Sequence, residues 1–258
     1  MKKLFNISAY AAVAVVAIVG VSSVAFASHS WGGYHWARTS NPLQLKLGDN
    51  VSGAWDSVLR TSSTDWSLSS VLDTSVVPGL SNPKNCKPAL GRIEVCNSKY
   101  GNNGWLGIAQ IWISGGNHIT QGVTKLNDTY FNTPTYNTLA WRNLVTCQEI
   151  GHTFGLDHQD ETFNNANLGT CMDYTNNPAT NQHPNLHDYQ QLEAIYGHLE
   201  GTSASSTTLS SRNNSEVNTE DPSSWGKAVG KDKNGKDSKF EKDLGKGAKV
   251  VTHVYWVE

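Results

Sequence analysis

Alternation of apolar and polar side chains predicts most of the strands in this 258-residue chain. Leu43, Leu45 and Leu47 alternate with Gln44 and Lys46 as a half-buried strand would, and Gly48-Asp49-Asn50 reads as the turn after it. Tyr34-His35-Trp36 reads as a short first strand, Val71 to Val77 as a β-branched one and Arg92 to Cys96 as an alternating one. Pro78 to Leu90 is a loop by its Pro, Gly and Asn content, and Tyr100 to Gly104 is a tight turn. Trp105 to Ile113 is almost wholly apolar, which predicts a central strand covered on both faces. Ile119 to Leu126 alternates again before a turn at Asn127-Asp128.

Three stretches change period. Trp55, Val58 and Leu59 share one face of a helix that Ser52 is placed to cap, ending near Arg60 or running on to Trp66. Trp141, Leu144, Val145, Gln148, Glu149 and His152 recur at helical spacing, predicting a helix of about four turns from Leu139. His187 to Gly197 reads as an amphipathic helix carrying Leu192, Ile195 and Tyr196 and ended by Gly197. Strands and helices in this order predict an α+β fold, α/β-like in its interleaving.

Composition divides the chain into parts. Lys2 and Lys3, an Ala/Val-rich run from Ala9 to Val24, and Ala25-Phe26-Ala27 read as a secretory signal peptide over residues 1–27. The competing reading is an uncleaved anchor, for which the apolar run is short. Residues 28–199 form the domain, and 200–226, rich in Ser, Thr and Asn, a flexible polar linker. Residues 227–258 are a Lys/Asp-rich tail ending in the strand-like Val250 to Val257, which either folds back onto the domain or adds a strand to a partner. The net charge of −2 and the acids that balance the tail lysines point away from nucleic acid. There is no G-x-S-x-G element and no phosphate-cradling loop.

The chemistry concentrates between Cys147 and His158. On a helix, Gln148 and His152 lie four apart on one face with Glu149 beside them, and Gly155 is placed for a left-handed cap that returns His158 toward them. Three donor side chains and a carboxylate are what a zinc hydrolase needs, with a fourth position open. The stretch resembles the H-E-x-x-H-x-x-G-x-x-H signature of the metzincin zinc peptidases, and Cys171-Met172-Asp173-Tyr174 resembles their Met-turn. Gln148 departs from the signature by standing where its first histidine belongs, and an amide oxygen is a poorer zinc donor than imidazole.

The resemblance implies a twisted, mostly parallel sheet with one antiparallel edge strand over the cleft, an active-site helix, a Met-turn and a closing helix. The segment His118 to Leu126 is expected near that cleft. One catalytic Zn2+ is expected on His152, His158 and Gln148, with His118, His183 or His187 as substitutes for the amide. The resemblance further implies Glu149 as general base, Tyr174 as an oxyanion stabiliser and Met172 as an apolar floor. The expected substrate is a protein or peptide, cleaved outside the cell and off the membrane. The alternative is a non-catalytic secreted protein that binds a partner through the same cleft. Asp157, Asp160 and Glu161 match no EF-hand spacing, so Ca2+ has no motif to support it.

Export gives the four cysteines a meaning, since an even number in an oxidising compartment predicts two disulfides. Three pairings are possible. The favoured one joins Cys86 to Cys96 as a loop clasp and Cys147 to Cys171, tying the active helix to the Met-turn. No C-x-x-C pair favours metal binding by cysteine. The mature exported chain should begin at Ser28, with no N-terminal inhibitory segment; its intact mass checks this, and a start well inside the domain would contradict it.

Overall fold

The computed structural model describes residues 28–200 and 220–258; the expected signal peptide and most of the expected linker lie outside them. The described residues build a mixed nine-stranded sheet and four helices, an α+β architecture. The elements are β1 (His35–Trp36), β2 (Leu43–Asn50), α1 (Trp55–Trp66), β3 (Leu72–Pro78), β4 (Ile93–Ser98), β5 (Trp105–Ser114) and β6 (His118–Asn127). They continue with α2 (Asp128–Phe131), α3 (Leu139–Thr153), α4 (Leu186–Ile195), β7 (Lys227–Lys231), β8 (Asp237–Gly245) and β9 (Ala248–Trp256).

The strand order is β3-β2-β4-β6-β5-β9-β8-β7, with β1 pairing β6 off this path. Pairing is parallel from β3 through β6 and antiparallel from β6 through β7. β5 is the strand at the changeover, and all ten of its residues are buried, as its apolar run predicts. One side of the sheet packs against the larger core, to which α1 contributes Trp66, α3 contributes Leu144 and Ile150, and α4 contributes Leu192. The other side has a second core in which Trp105, Ile108 and Trp112 of β5 meet Trp225, Phe240, Val250 and Val254 from the C-terminal segment.

Several local expectations are corrected. Gly48-Asp49-Asn50 is not a turn; β2 runs through it because these residues pair with Glu94, Val95 and Cys96 of β4. Ser52 does not cap α1, whose N-cap is Ala54; the Ser52 amide donates to Asn97 Oδ1 instead. Asn127-Asp128 opens the one-turn α2, with the Asn127 side chain accepting from the Thr129 amide. α4 ends at Ile195, two residues before Gly197. The antiparallel strand of the N-terminal part is β5, and the His118–Leu126 stretch lies inside the sheet between β4 and β5. The Lys/Asp-rich tail is also structured: β7 and β8 form a hairpin, and β9 carries the chain end back onto β5.

Both expected disulfides are present, Cys86–Cys96 and Cys147–Cys171. The second holds α3 to the chain after it across 24 residues, a closure that restricts the unfolded chain by about 3 kcal/mol. Met172 lies directly beneath α3, so close that a Cβ on Gly151 would press on its sulfur. Gly155 ends the helix with φ of +92°, and a Cβ there would collide with the backbone oxygen of Tyr34. Gly155→Ala should therefore destabilise the fold by at least about 2 kcal/mol, read as a lower urea midpoint; an unchanged midpoint would show that the turn tolerates a side chain.

Candidate metal centre

The buried face of α3 carries the first part of the site. Thr138 caps the helix by accepting from the Trp141 amide, and after the fifteen helical residues the Gly155 turn sends the chain back along its own end. That reversal places the Leu156 carbonyl 2.8 Å from His152 Nδ1. A carbonyl only accepts, so Nδ1 carries the proton and the bare Nε2 of neutral His152 faces inward. His158 Nδ1 lies 3.4 Å from the Glu161 carboxylate, which fixes its ring in the same sense. The two Nε2 atoms then face each other at 3.0 Å. Two bare lone pairs repel at that distance, and a shared proton or cation is what relieves them.

A third imidazole completes the group, and it comes from the far end of the chain. His253 on β9 packs its ring 3.9 Å from that of His152 and 4.7 Å from that of His158, centre to centre. Ligand atoms of the three histidines all lie within 4.8 Å of one another. Register explains the placement: His253 opposes Ala109 of β5 and shares a strand face with Val251 and Tyr255, which join the helix-side core. Neither the motif nor its spacing points to His253. The available signal was a histidine at the buried phase of an otherwise apolar terminal strand.

Glu149 closes the group from the helix. Its Oε2 accepts from His253 Nδ1 at 3.1 Å, while Tyr174 Oη bonds His253 Nε2 at 2.8 Å. Burial pushes the Glu149 carboxyl well up, the backbone of Tyr255 and Ala109 opposing this in part. Burial also raises the Tyr174 phenol, with the nearby Glu149 adding to it. His152 is pushed well down by burial and by His158, and His253 by burial and by His152, so both favour the neutral form that binds metals.

Gln148 is fully buried on the same helix, but its Nε2 donates to the Cys171 carbonyl at 2.7 Å. Its Oε1 has no hydrogen-bond partner among the described residues. The three substitutes considered for Gln148 lie elsewhere: His118 beside Glu200, His183 on Asp65, and His187 stacked on His29. The acidic residues after the turn are engaged by Lys239, whose Nζ bonds Asp157 Oδ2 at 2.6 Å and lies 3.5 Å from Glu161 Oε1. Asp160 accepts from the Thr162 amide and from Asn165.

The centre is sealed. Glu149 and His253 are 0% exposed and His152 is 1% exposed, with the Trp31 ring against His152 and Phe163 stacked on Tyr174. Three imidazoles, two of them with ring nitrogens facing at 3.0 Å, are a donor set that fits a zinc-type cation. Comparison of the chain with protein-family models and with curated proteins finds no match. No helix among the described residues is long and apolar enough to cross a membrane, and the two disulfides are compatible with an oxidising compartment.

Chelator-treated protein should be stabilised by zinc at a hundred times its dissociation constant by about 2.7 kcal/mol, measured as a rise in the urea midpoint. Magnesium, which prefers oxygen donors, should give no comparable rise. An unchanged midpoint with zinc counts against a metal centre.

Proposed function

We propose that the chain is an exported zinc metalloendopeptidase of metzincin type, held in a self-occluded form by its own C-terminal strand. The observation that carries this reading is the buried convergence of His152, His158 and His253 beside Glu149. His152, His158 and His253 would hold the metal. Gln148, at the place of the missing motif histidine, is a hydrogen-bonded neighbour through Cys171. When bound, zinc supplies Lewis-acid polarisation of the groups it meets. Glu149 is the one carboxylate in contact with the imidazoles that lies on the motif helix, so it is the group to take a proton from water attacking an amide. The Tyr174 phenol, bonded to His253 Nε2, would be displaced by zinc held on that nitrogen; kept protonated by burial, it could then donate to the oxygen that gains charge in the attack.

Occlusion follows from the sheet. An antiparallel strand at a free edge beside the motif helix would offer unpaired backbone groups to an extended peptide. β9 takes that edge of β5 from Trp105 to Ile113, and Gly107 of β5 has no room for a Cβ because Val145 and Glu149 press against it. A substrate strand and β9 would compete for the same hydrogen bonds.

A second reading rests on the same burial. With Glu149 sealed from solvent, the centre would serve as a zinc staple in a non-catalytic binding protein. The two readings separate on hydrolysis of an unstructured peptide by the zinc-loaded chain. In the peptidase reading, Val251→Asp, which puts a charge into β9's buried face, should raise the rate at saturating zinc. Because β9 also carries His253, the ion would then rest on His152 and His158 and be held more weakly than in the parent. Adding Glu149→Gln should lower that rate by about 10²–10⁴-fold while zinc content stays the same. Bound zinc without hydrolysis in either the parent or the Val251→Asp chain selects the staple.

A further inference from the structure

A second group of ligating side chains lies apart from the buried centre, where β1, the start of β6 and the chain after α4 meet. His35 and His118 are paired across the parallel β1–β6 register, with ring centres 5.1 Å apart. Glu200 reaches both: its Oε1 stands 2.8 Å from His35 Nε2 and its Oε2 stands 2.9 Å from His118 Nε2. His198 Nε2 lies 3.2 Å from the same Oε1. The Glu200 amide donates to the Arg38 carbonyl at 2.8 Å, so backbone as well as side chain holds the carboxylate over the two histidines.

The hydrogen bonding at His35 makes this more than a surface ion pair. His35 Nδ1 lies 2.9 Å from the Gly33 carbonyl, which can only accept, so Nδ1 carries the proton in the neutral ring. Its Nε2 then presents a lone pair to a carboxylate oxygen at 2.8 Å. Acceptor faces acceptor unless the ring is charged or a cation joins them. His118 and His198 can meet Glu200 as neutral rings that donate from Nε2, so the His35 contact is the one that calls for an imidazolium or a metal ion. Imidazole nitrogens and a carboxylate oxygen converging on one point are the donor set of a zinc-class ion.

We propose that His35, His118, His198 and Glu200 form a second metal site, for a divalent ion of the zinc class. His35, His198 and Glu200 bring ligand atoms within 4.8 Å of one another, and His118, held on the second Glu200 oxygen just outside that set, would close the site as a fourth ligand by a small shift. Its ligands are partly exposed, from 14% for the Glu200 side chain to 56% for that of His198, so the ion exchanges with solvent without passing through the core. A bound ion would fasten residues 198–200 to the strands β1 and β6. The site shares no residue with the buried centre, so it stands or falls independently of the peptidase reading.

The test is zinc stoichiometry of the full chain after chelator treatment and reloading, by mass spectrometry of the native protein. His118→Ala/His198→Ala should bind one zinc fewer per chain than the parent, whatever the parent binds at its buried centre. The single variant His198→Ala changes an exposed side chain and leaves the fold intact, so it guards against misfolding of the double variant. It should weaken the same zinc at least tenfold. Equal stoichiometry and affinity in the parent and both variants would overturn the proposal and leave an ion-paired histidine cluster. Loss of both zincs in the single variant would also overturn it, by showing that the two groups are not independent.

Discussion

An imidazole nitrogen buried without a donor has to be satisfied from somewhere, and the centre of this protein is arranged around two of them. His152 and His158 each turn one ring nitrogen to a protein acceptor, leaving the other two nitrogens 3.0 Å apart in an interior closed to water. Holding that arrangement requires the Gly155 reversal, because the Leu156 carbonyl that orients His152 is delivered by it. It also requires α3 to be held in place. The Cys147–Cys171 bond, Met172 against Gly151 and the Gln148–Cys171 hydrogen bond all tie this helix to the same segment. A proton shared between the two nitrogens, or the cation proposed above, would relieve the repulsion of their lone pairs.

The third nitrogen shows how a remote segment enters the site. β9 is long and apolar and pairs with β5, a strand that would otherwise leave an unpaired edge beside the motif helix. The hairpin before it is fastened by charge and hydroxyl contacts that reach the N-terminal part of the chain. Lys239 bonds Asp157 beside His158, Tyr34 donates to Glu241 and accepts from Lys249, and Tyr255 donates to the Thr175 carbonyl. Asp157 shows the effect of this latch on the site: burial acts to raise its carboxyl, but His158 and Lys239 outweigh that and hold it below the ordinary range. The tail that looked like a charged appendage is thus part of the sheet and of the site.

Local pattern was a sufficient guide wherever a residue's neighbours in space are also its neighbours in sequence. The helical run from Leu139, the left-handed turn at Gly155, the convergence of His152 with His158 and the buried strand Trp105 to Ile113 were all readable this way. The hairpin of β7 and β8 was missed because its lysines and aspartates obscured the alternation. Asn234-Gly235 at its tip, with φ of +84° at the glycine, was a turn signal that went unused. Gly48 to Asn50 was misread because turn-forming composition was overridden by pairing on both sides, with β3 and β4.

What the sequence by itself determined is the motif helix, its terminating glycine, the two histidines flanking that glycine and the even cysteine count. Each rests on backbone geometry or covalent chemistry set within a dozen residues. Only the tertiary structure decided which histidine joins them. His253 is 95 residues from His158, and strand pairing alone brings it there. The same holds for Glu200, which meets His35 and His118 from the far side of α4. The number of histidines is visible in the sequence, but which of them come together depends on which strands lie side by side. That is settled by burial of whole sheet faces, not by spacing along the chain.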